Sequence, residues 1–318
     1  MDPLADVLDV ARVEGALMAQ VRASEPWGLR LAQATGAAFH VITSGSCWLR
    51  AEGLQPIKLL PGDVVLLPAG MEHILSSTPR GQARAFDRVA KERLISPSGD
   101  LDLGGAGIET RFLCASYVYD HDVAQPLMAL LPNVIHLSAG ELAHGSIEST
   151  VRLLTHEVRG SDPGSRAIVN RLIDVLLVHV LRVWLAGHTD ESPSWLHALR
   201  DAEVATALAA LHAHPERKWT VATLAAEVGV SRATLARRFS EHVGETPLAY
   251  LTRWRMDLAA RRLRRTDDTV ESVARAVGYS SEFAFSRAFS RARGAPPGRY
   301  RANHKQEVRN MIVTASSY

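Results

Sequence analysis

Cysteine is scarce in this chain: 318 residues hold two, Cys47 and Cys114. So few thiols exclude a disulfide-framed fold, and no His or Cys neighbours them at metal-cluster spacing. They read as small buried hydrophobes. The sharper alternative, a redox-sensing pair, needs the two close in space and one with a depressed pKa. Long apolar runs are also lacking. The longest, Leu172 to Leu185, is broken by Asp174, His179 and Arg182 and is too short to span a bilayer. Met1 is followed by Asp2 and Asp6, not by the basic-then-apolar start of a secretory signal. A cytoplasmic protein with no membrane partner is expected.

A strong net charge is missing too, since the balance over the whole chain is +2. That small figure conceals an asymmetry. The balance is −6 over residues 1–197, +7 over residues 198–304 and +1 over the tail 305–318. Basic charge gathered on one segment is the footprint of a nucleic-acid binder, and the acidic segment would repel DNA. With 47% hydrophobic and 22% charged residues, the chain can build ordinary globular cores. Its length suggests two domains with a linking module.

The basic segment contains one pattern written twice. The first copy has Thr220, Val221, Leu224, Ala225, Val228, Gly229, Ser231, Leu235, Phe239, Gly244 and Pro247. The second has Thr269, Val270, Val273, Ala274, Val277, Gly278, Ser281, Phe285, Phe289, Gly294 and Pro297. The two run one residue further apart after the glycine, so the second turn carries an extra residue. Each copy predicts a helix capped by Thr, a turn at Gly, and a second helix capped by Ser. That is a helix-turn-helix unit. Between the copies, Pro247 opens a helix of about 19 residues, about 28 Å long. Such a rod can hold two reading helices over successive major grooves, about 34 Å apart. Its arginines, Arg253, Arg255, Arg261, Arg262, Arg264 and Arg265, divide between phosphate contacts and pairs with Asp257, Asp267 or Asp268.

The outward face of each second helix is small and carries arginine. Leu235 and Phe239 point inward, leaving Ala233, Ala236, Arg237 and Ser240 outside, with Arg232 at the helix start. Phe285 and Phe289 point inward, leaving Glu282, Phe283, Ser286, Arg287 and Ser290 outside, with Ser281 at the cap. Arginine pairs with guanine edges, and small residues permit close approach. The plainer reading makes Arg237 and Arg287 solvated helix arginines; their recurrence at equivalent places in two units weighs against it. Ala233 and Ala236 offer no hydrogen bonds, so the first helix reads thymine methyls or shape. Phe283 is large for an outward position, and inward packing is its alternative.

This layout resembles the DNA-binding domain of the AraC/XylS-type transcription regulators. The likeness covers about Leu199 to Arg301 and includes Val277-Gly278-Tyr279, Phe285-Ser286-Arg287-Ala288-Phe289, Gly294 and Pro297-Gly298-Arg299-Tyr300. It implies sequence-specific binding to double-stranded DNA. By motif alignment it places base reading at Ala233, Ala236 and Arg237, then at Glu282, Phe283, Ser286 and Arg287.

The acidic half opens with a helix, where Leu4, Val7, Leu8 and Ala11 recur at helical spacing. From Trp27 onward come short alternating runs separated by turns, which suggest a β-sandwich or barrel. Pro61-Gly62-Asp63 to Pro68, Gly70 and His73 fits G-x5-P-x-G-x2-H and resembles the second motif of the cupin barrels. With Phe39-His40 and Gly45 to Leu49 it looks like the cupin half of one AraC/XylS subgroup. That likeness implies a jelly-roll sensor. A cupin metal site usually takes several histidines and a glutamate, whereas this chain has His40, with Ile42 where a second histidine would stand, and His73. Two imidazoles make a poor metal site, so neither a metal nor any other cofactor is expected. His40, Trp48 and His73 are the candidate walls of a ligand cavity, with Phe39 beside them.

Residues 76–107 read as a connecting loop, and Gln125 to Leu137 closes the domain. Two helices follow. Ser146 to Val158 has one apolar face. The next, beginning after Asp162-Pro163, is apolar nearly all round and so is buried on more than one side. One side packs on the barrel. The other is expected to meet a second subunit, so Leu176→Asp and Leu177→Asp should disturb a dimer; burial within one chain is the plainer alternative. Residues 186–197 read as a linker, docked through Trp195, Leu196 and Leu199.

The expectation is a multidomain α+β protein with four segments. Residues 1–138 form a cupin-like sensing β-barrel, 139–197 a helical dimerisation segment and linker, 198–303 an all-α double helix-turn-helix, and 304–318 a tail. It is a homodimeric transcription regulator that answers a small-molecule effector or a redox signal, and it is not an enzyme. The rival readings are a metal-dependent cupin enzyme (a dioxygenase or isomerase) with an accessory helical domain, and a nucleoid-type protein binding DNA by charge alone.

Overall fold

The computed structural model describes residues 2–11, 13–34, 36–86, 101–103, 105–119, 128, 130–142, 145–159, 162–187, 195–304 and 306. The predicted tail 304–318 apart from His304 and Gln306, and most of the predicted linker 186–197, lie outside these residues, as does 87–100. The chain separates into two compact units, Arg12–His188, and Met1–Ala11 together with Thr189–Tyr318.

The unit Arg12–His188 is a two-sheet β-sandwich with helices. One sheet has the order β11-β6-β3-β10-β1-β9 and the other β5-β4-β7-β2-β8. The first comprises β1 (Glu14–Ser24), β3 (Ala37–Ser44), β6 (Val64–Leu67), β9 (Leu101–Leu103), β10 (Glu109–Val118) and β11 (Ile135–Leu137). The second comprises β2 (Gly28–Leu31), β4 (Cys47–Ala51), β5 (Ile57–Leu59), β7 (His73–Ser76) and β8 (Arg84–Phe86). Strand alternation sends Val21, Ile42, Val65 and Phe112 from one sheet to meet Leu29, Cys47, Leu49 and Leu75 from the other. Trp27 stacks on Phe112 across this core, with centroids 5.4 Å apart.

Strands β1, β8 and β9 escape the sequence reading. β1 lies in a stretch where only a helix is expected, because its apolar residues alternate weakly. β8 and β9 lie within the expected loop 76–107. Both pair in parallel at sheet edges, β8 with β2 and β9 with β1, so distant partners rather than local propensity make them strands. Asp63 sits where the chain crosses from β5 in one sheet to β6 in the other, and it is more than a turn residue. Its carboxylate is buried and accepts from the backbone N–H of Leu60 and Ala139, at 3.0 and 2.9 Å. It also lies 2.9 Å from His136 Nε2.

The outer face of the first sheet is covered by helix. The first helix of the chain, α1 (Pro3–Val10), belongs to the other unit; the helices here are α2 (Ala139–Leu142), α3 (Ser146–Arg159) and α4 (Ser165–Gly187). The Tyr117 hydroxyl donates to the Ile173 carbonyl at 2.6 Å, and the Gly15 N–H donates to Asp174 at 2.6 Å. Leu176 and Leu177 are fully buried within this single chain. They are therefore not the dimer-facing residues that the sequence suggested. The outward apolar side of α4 carries Ile168 and Val175, which are 46% and 42% exposed, and neighbouring α3 carries Leu153, at 55%.

The second unit is all helix: α1 with α5 (Trp195–Ala198), α6 (Ala202–Ala213), α7 (Val221–Val228), α8 (Arg232–Val243), α9 (Pro247–Arg265), α10 (Val270–Ala276) and α11 (Glu282–Arg293). Leu196 is buried, in keeping with its expected docking role. The N-terminal helix α1 packs here, although sequence order places it before the sandwich. Leu4, Val7, Val10 and Ala11 are buried, and Asp9 pairs with Arg261 at 2.6 Å.

Candidate nucleic-acid interface

The two helix-turn-helix units are built by the same local rules. Thr220 caps α7 by accepting from the Thr223 N–H, and Thr269 caps α10 by accepting from the Ser272 N–H. Gly229 and Gly278 then take positive φ, 80° and 87°, where an L side chain is strained. A Cβ on Gly278 would also stand 2.8 Å from the Glu216 backbone, so glycine is required there twice over. The chain reverses with matching hydrogen bonds, Val230 N–H to the Ala225 carbonyl and Tyr279 N–H to the Ala274 carbonyl, at 3.0 and 2.8 Å. Ser231 and Ser281 cap the second helices of the two units, α8 and α11, accepting from the N–H groups of Thr234 and Ala284.

Inward packing fixes which faces are left outside. Leu235 and Phe239 of α8 are buried, as are Phe285 and Phe289 of α11. On α8, Arg232, Ala233 and Arg237 are exposed and Ala236 is half-buried. On α11, Ser281, Glu282, Phe283 and Arg287 are exposed and Ser286 is half-buried. Phe283 does not pack inward; it is 72% exposed, with the Arg287 guanidinium 5.7 Å from its ring centroid. Arg237 is held by Glu241 one turn on, at 2.9 and 3.1 Å.

Most other arginines near α8 and α11 hold the unit together. Arg238 of α8 bridges Asp201 and Glu203. On α9, Arg253 pairs with Glu245 at 2.7 Å, and Arg262 pairs with Asp268. Arg255 donates to the carbonyls of Pro215 and Arg217, at 2.6 and 2.9 Å. Asp257 of α9 is buried and pairs with Arg293 at the end of α11, tying α11 to the connecting rod. Sequence alone offers no signal separating these structural arginines from Arg237 and Arg287 beyond the inward or outward phase of each helix.

In the sandwich, His40 on β3 and His73 on β7 meet between the sheets, with their Nε2 atoms 2.8 Å apart. His73 Nδ1 lies 2.8 Å from the Met71 carbonyl, which only an N–H can satisfy. Neutral His73 therefore carries its proton on Nδ1 and accepts at Nε2 from the Nε2–H of His40. That leaves His40 Nδ1 as a bare, buried lone pair with no hydrogen-bond partner. Burial drives the pKa of His40 well below its usual value, with the neighbouring His73 adding to the effect; burial also lowers His73. Among the described residues no group of three or more His, Cys, Asp and Glu is placed to hold a metal.

Trp48, expected beside these histidines, is half-buried and stands on the other face of β4 from Cys47 and Leu49, because successive strand residues alternate. Phe39 likewise points away from His40, to the helix-covered side, and packs edge-on against Tyr117. Cys114 lies directly opposite His40 in the β10–β3 pairing. Burial pushes the Cys47 thiol up to about 12, aided by the Asp63 charge. Burial also raises Cys114, with the Cys47 thiol as a second cause. Both are free thiols, and neither has the depressed pKa that thiolate chemistry needs.

Comparison with known proteins agrees with this architecture. Residues 2–186 match the family model described as Cupin, and residues 224–303 the one described as Helix-turn-helix domain. An AraC-like transcription regulator of Streptomyces lividans is 36% identical over 310 residues, covering 95% of this chain and 98% of its own. One of Streptomyces antibioticus is 34% identical over 310 residues, with the same coverage. The HTH-type transcriptional regulator AlkR of Acinetobacter baylyi is 30% identical over 305 residues, covering 95% of this chain and 99% of its own. These relatives are transcription regulators, which sets the cupin-enzyme reading aside. No helix among the described residues is long and apolar enough to cross a membrane.

Proposed function

The chain belongs to the AraC family of DNA-binding transcription regulators, with an N-terminal cupin domain and a C-terminal helix-turn-helix domain, and from that premise we propose that it reads two tandem half-sites with α8 and α11. The observation that carries this is the recurrence of one capped helix with one outward face, bearing Arg237 in the first copy and Arg287 in the second. A guanidinium at a guanine edge contributes about 1–3 kcal/mol of discrimination. Selection of binding sites from random duplex, followed by titration of Arg237→Ala and Arg287→Ala, tests the assignment. Each variant should lose about tenfold or more on the selected site and little on unrelated duplex. Equal losses on both would reduce these residues to phosphate contacts.

Sensing belongs in this reading to the sandwich, and the signal is a small molecule. Two observations support that choice over a redox signal: the raised pKa of both thiols, and an unpartnered buried imidazole nitrogen between the sheets. A ligand acts only through different affinity for two arrangements of the protein. The protein acts as a homodimer, paired through the outward side of α4, where Ile168 and Val175 leave apolar surface uncovered. Maleimide labelling of the folded protein at neutral pH separates the two signals: slow labelling of both thiols supports a small molecule, and rapid labelling of either favours redox sensing.

A further inference from the structure

The second reading helix carries a side chain that hydrogen bonding does not explain. Phe283 is exposed over most of its surface and sits two residues after the N-cap Ser281. It is not a core residue displaced outward, because the inward seats of α11 are filled by Phe285 and Phe289, both fully buried among Met256, Leu263, Val273 and Val277. Its neighbours outside are Glu282, Ala284 and, one turn on, Arg287. In the first copy the equivalent position is Ala233. The two reading helices therefore keep arginine in register but differ by a whole phenyl ring one turn earlier.

The floor of a major groove is mostly hydrogen-bonding atoms, and the one bulky apolar group on it is the C5 methyl of thymine. A phenyl ring aimed into that groove has that methyl as its favourable partner, because covering a hydrogen-bonding edge would strip its water without compensation. The Arg287 guanidinium lies over the same ring, a cation–π contact that limits the rotamers open to both side chains. Resting on the reading of α11 as a groove-entering helix, we infer that Phe283 specifies thymine. Its ring packs on the C5 methyl of one thymine in the second half-site, and Arg287, braced against the ring, takes a neighbouring guanine. The first half-site, faced by Ala233, carries no such requirement from this position.

Deoxyuridine tests this directly, since it differs from thymidine only by the C5 methyl. The selected operator is titrated with the full-length protein while each thymine of the second half-site is replaced in turn. One position should weaken wild-type binding about three- to fivefold, the effect of uncovering one methyl-sized group. Phe283→Ala should bind the thymine operator about that much more weakly and be indifferent to the replacement, while Phe283→Leu keeps part of the discrimination. The exposed position makes both variants fold like wild type, which circular dichroism checks. Selective binding that no deoxyuridine disturbs overturns the inference and leaves α11 as a reading helix. Equal loss by Phe283→Ala on both operators also overturns it, and points to a wedge between base steps. Wild-type protein that prefers no sequence overturns the groove reading itself.

Discussion

His212 and Asp6 stand 206 positions apart in the chain, yet His212 Nδ1 lies 3.2 Å from the Asp6 carboxylate. The same ring stacks on Trp254, with centroids 4.0 Å apart, and its Nε2 lies 2.7 Å from the Tyr250 hydroxyl. Burial, reinforced by Arg253, lowers the pKa of His212 to about 3. The neutral ring therefore donates from Nδ1 to Asp6 and accepts at Nε2 from Tyr250.

That neutrality makes the helical unit sensitive to acid. His212 takes up a proton near pH 6.5 when unfolded but only near pH 3 when folded. The unfolded state binds more protons between those values, so the contribution is complete above about pH 6.5 and is lost as pH falls toward 3. Hydrogen exchange resolved over residues 202–265 should show protection falling from pH 7 to pH 5. The fall should be smaller in His212→Gln, which cannot titrate. Parallel losses in both proteins would remove His212 as the cause.

The N-terminal helix should matter to the DNA-binding unit more than to the sandwich that follows it. Val7→Asp or Val10→Asp places an unpaired carboxylate among buried apolar groups and should cost about 2–4 kcal/mol. In the full-length chain, exchange protection should fall at α6 and α9 while β3 and β10 stay protected. Loss confined to the strands would reassign α1.

The His40–His73 pair makes a different stability prediction. Removing either partner leaves the other buried with one hydrogen bond fewer, a cost of about 1–3 kcal/mol, whereas removing both is milder than the sum. His40→Leu, His73→Leu and the double variant, followed by urea unfolding, form the cycle. Additive losses would show that the 2.8 Å contact carries no coupling. Both pKa values are lowered by burial, so the pair also costs the sandwich stability as pH falls below about 6.5, and the double variant should lose that acid sensitivity.

Subunit pairing can be examined with charges on α4. Ile168→Glu and Val175→Glu lie on the exposed side and should convert a dimer to a folded monomer in solution sizing. Leu176→Asp lies in the chain's own core and should unfold the sandwich unit instead. A wild-type protein that runs as a monomer at every concentration rejects the pairing.

Much of the helical unit is legible in the sequence because its determinants are local. Thr220, Gly229, Ser231 and their repeats 49 or 50 positions on each act within one turn of chain. The apolar phase of each helix then decides that Phe239 and Phe289 go inward and that Arg237 and Arg287 go outward. The sandwich is less legible. Its strands β8 and β9 have almost no local signature and exist through pairing with β2 and β1. Trp48 and Phe39 look like companions of His40 by composition, yet strand alternation points Phe39 toward the helices and Trp48 to the far face of β4.

By itself, then, the amino-acid order determined the two helix-turn-helix units, their outward arginines and the cupin-type turn at Gly62-Asp63, since caps, positive-φ glycines and helical periodicity act over a few residues. Only the tertiary structure decided that Asp6 meets His212, that His40 meets His73, that Leu176 and Leu177 are interior and that Phe283 is not. Each of those depends on which surfaces meet across long stretches of chain, and burial, hydrogen bonding and charge at such meetings have no counterpart in local spacing.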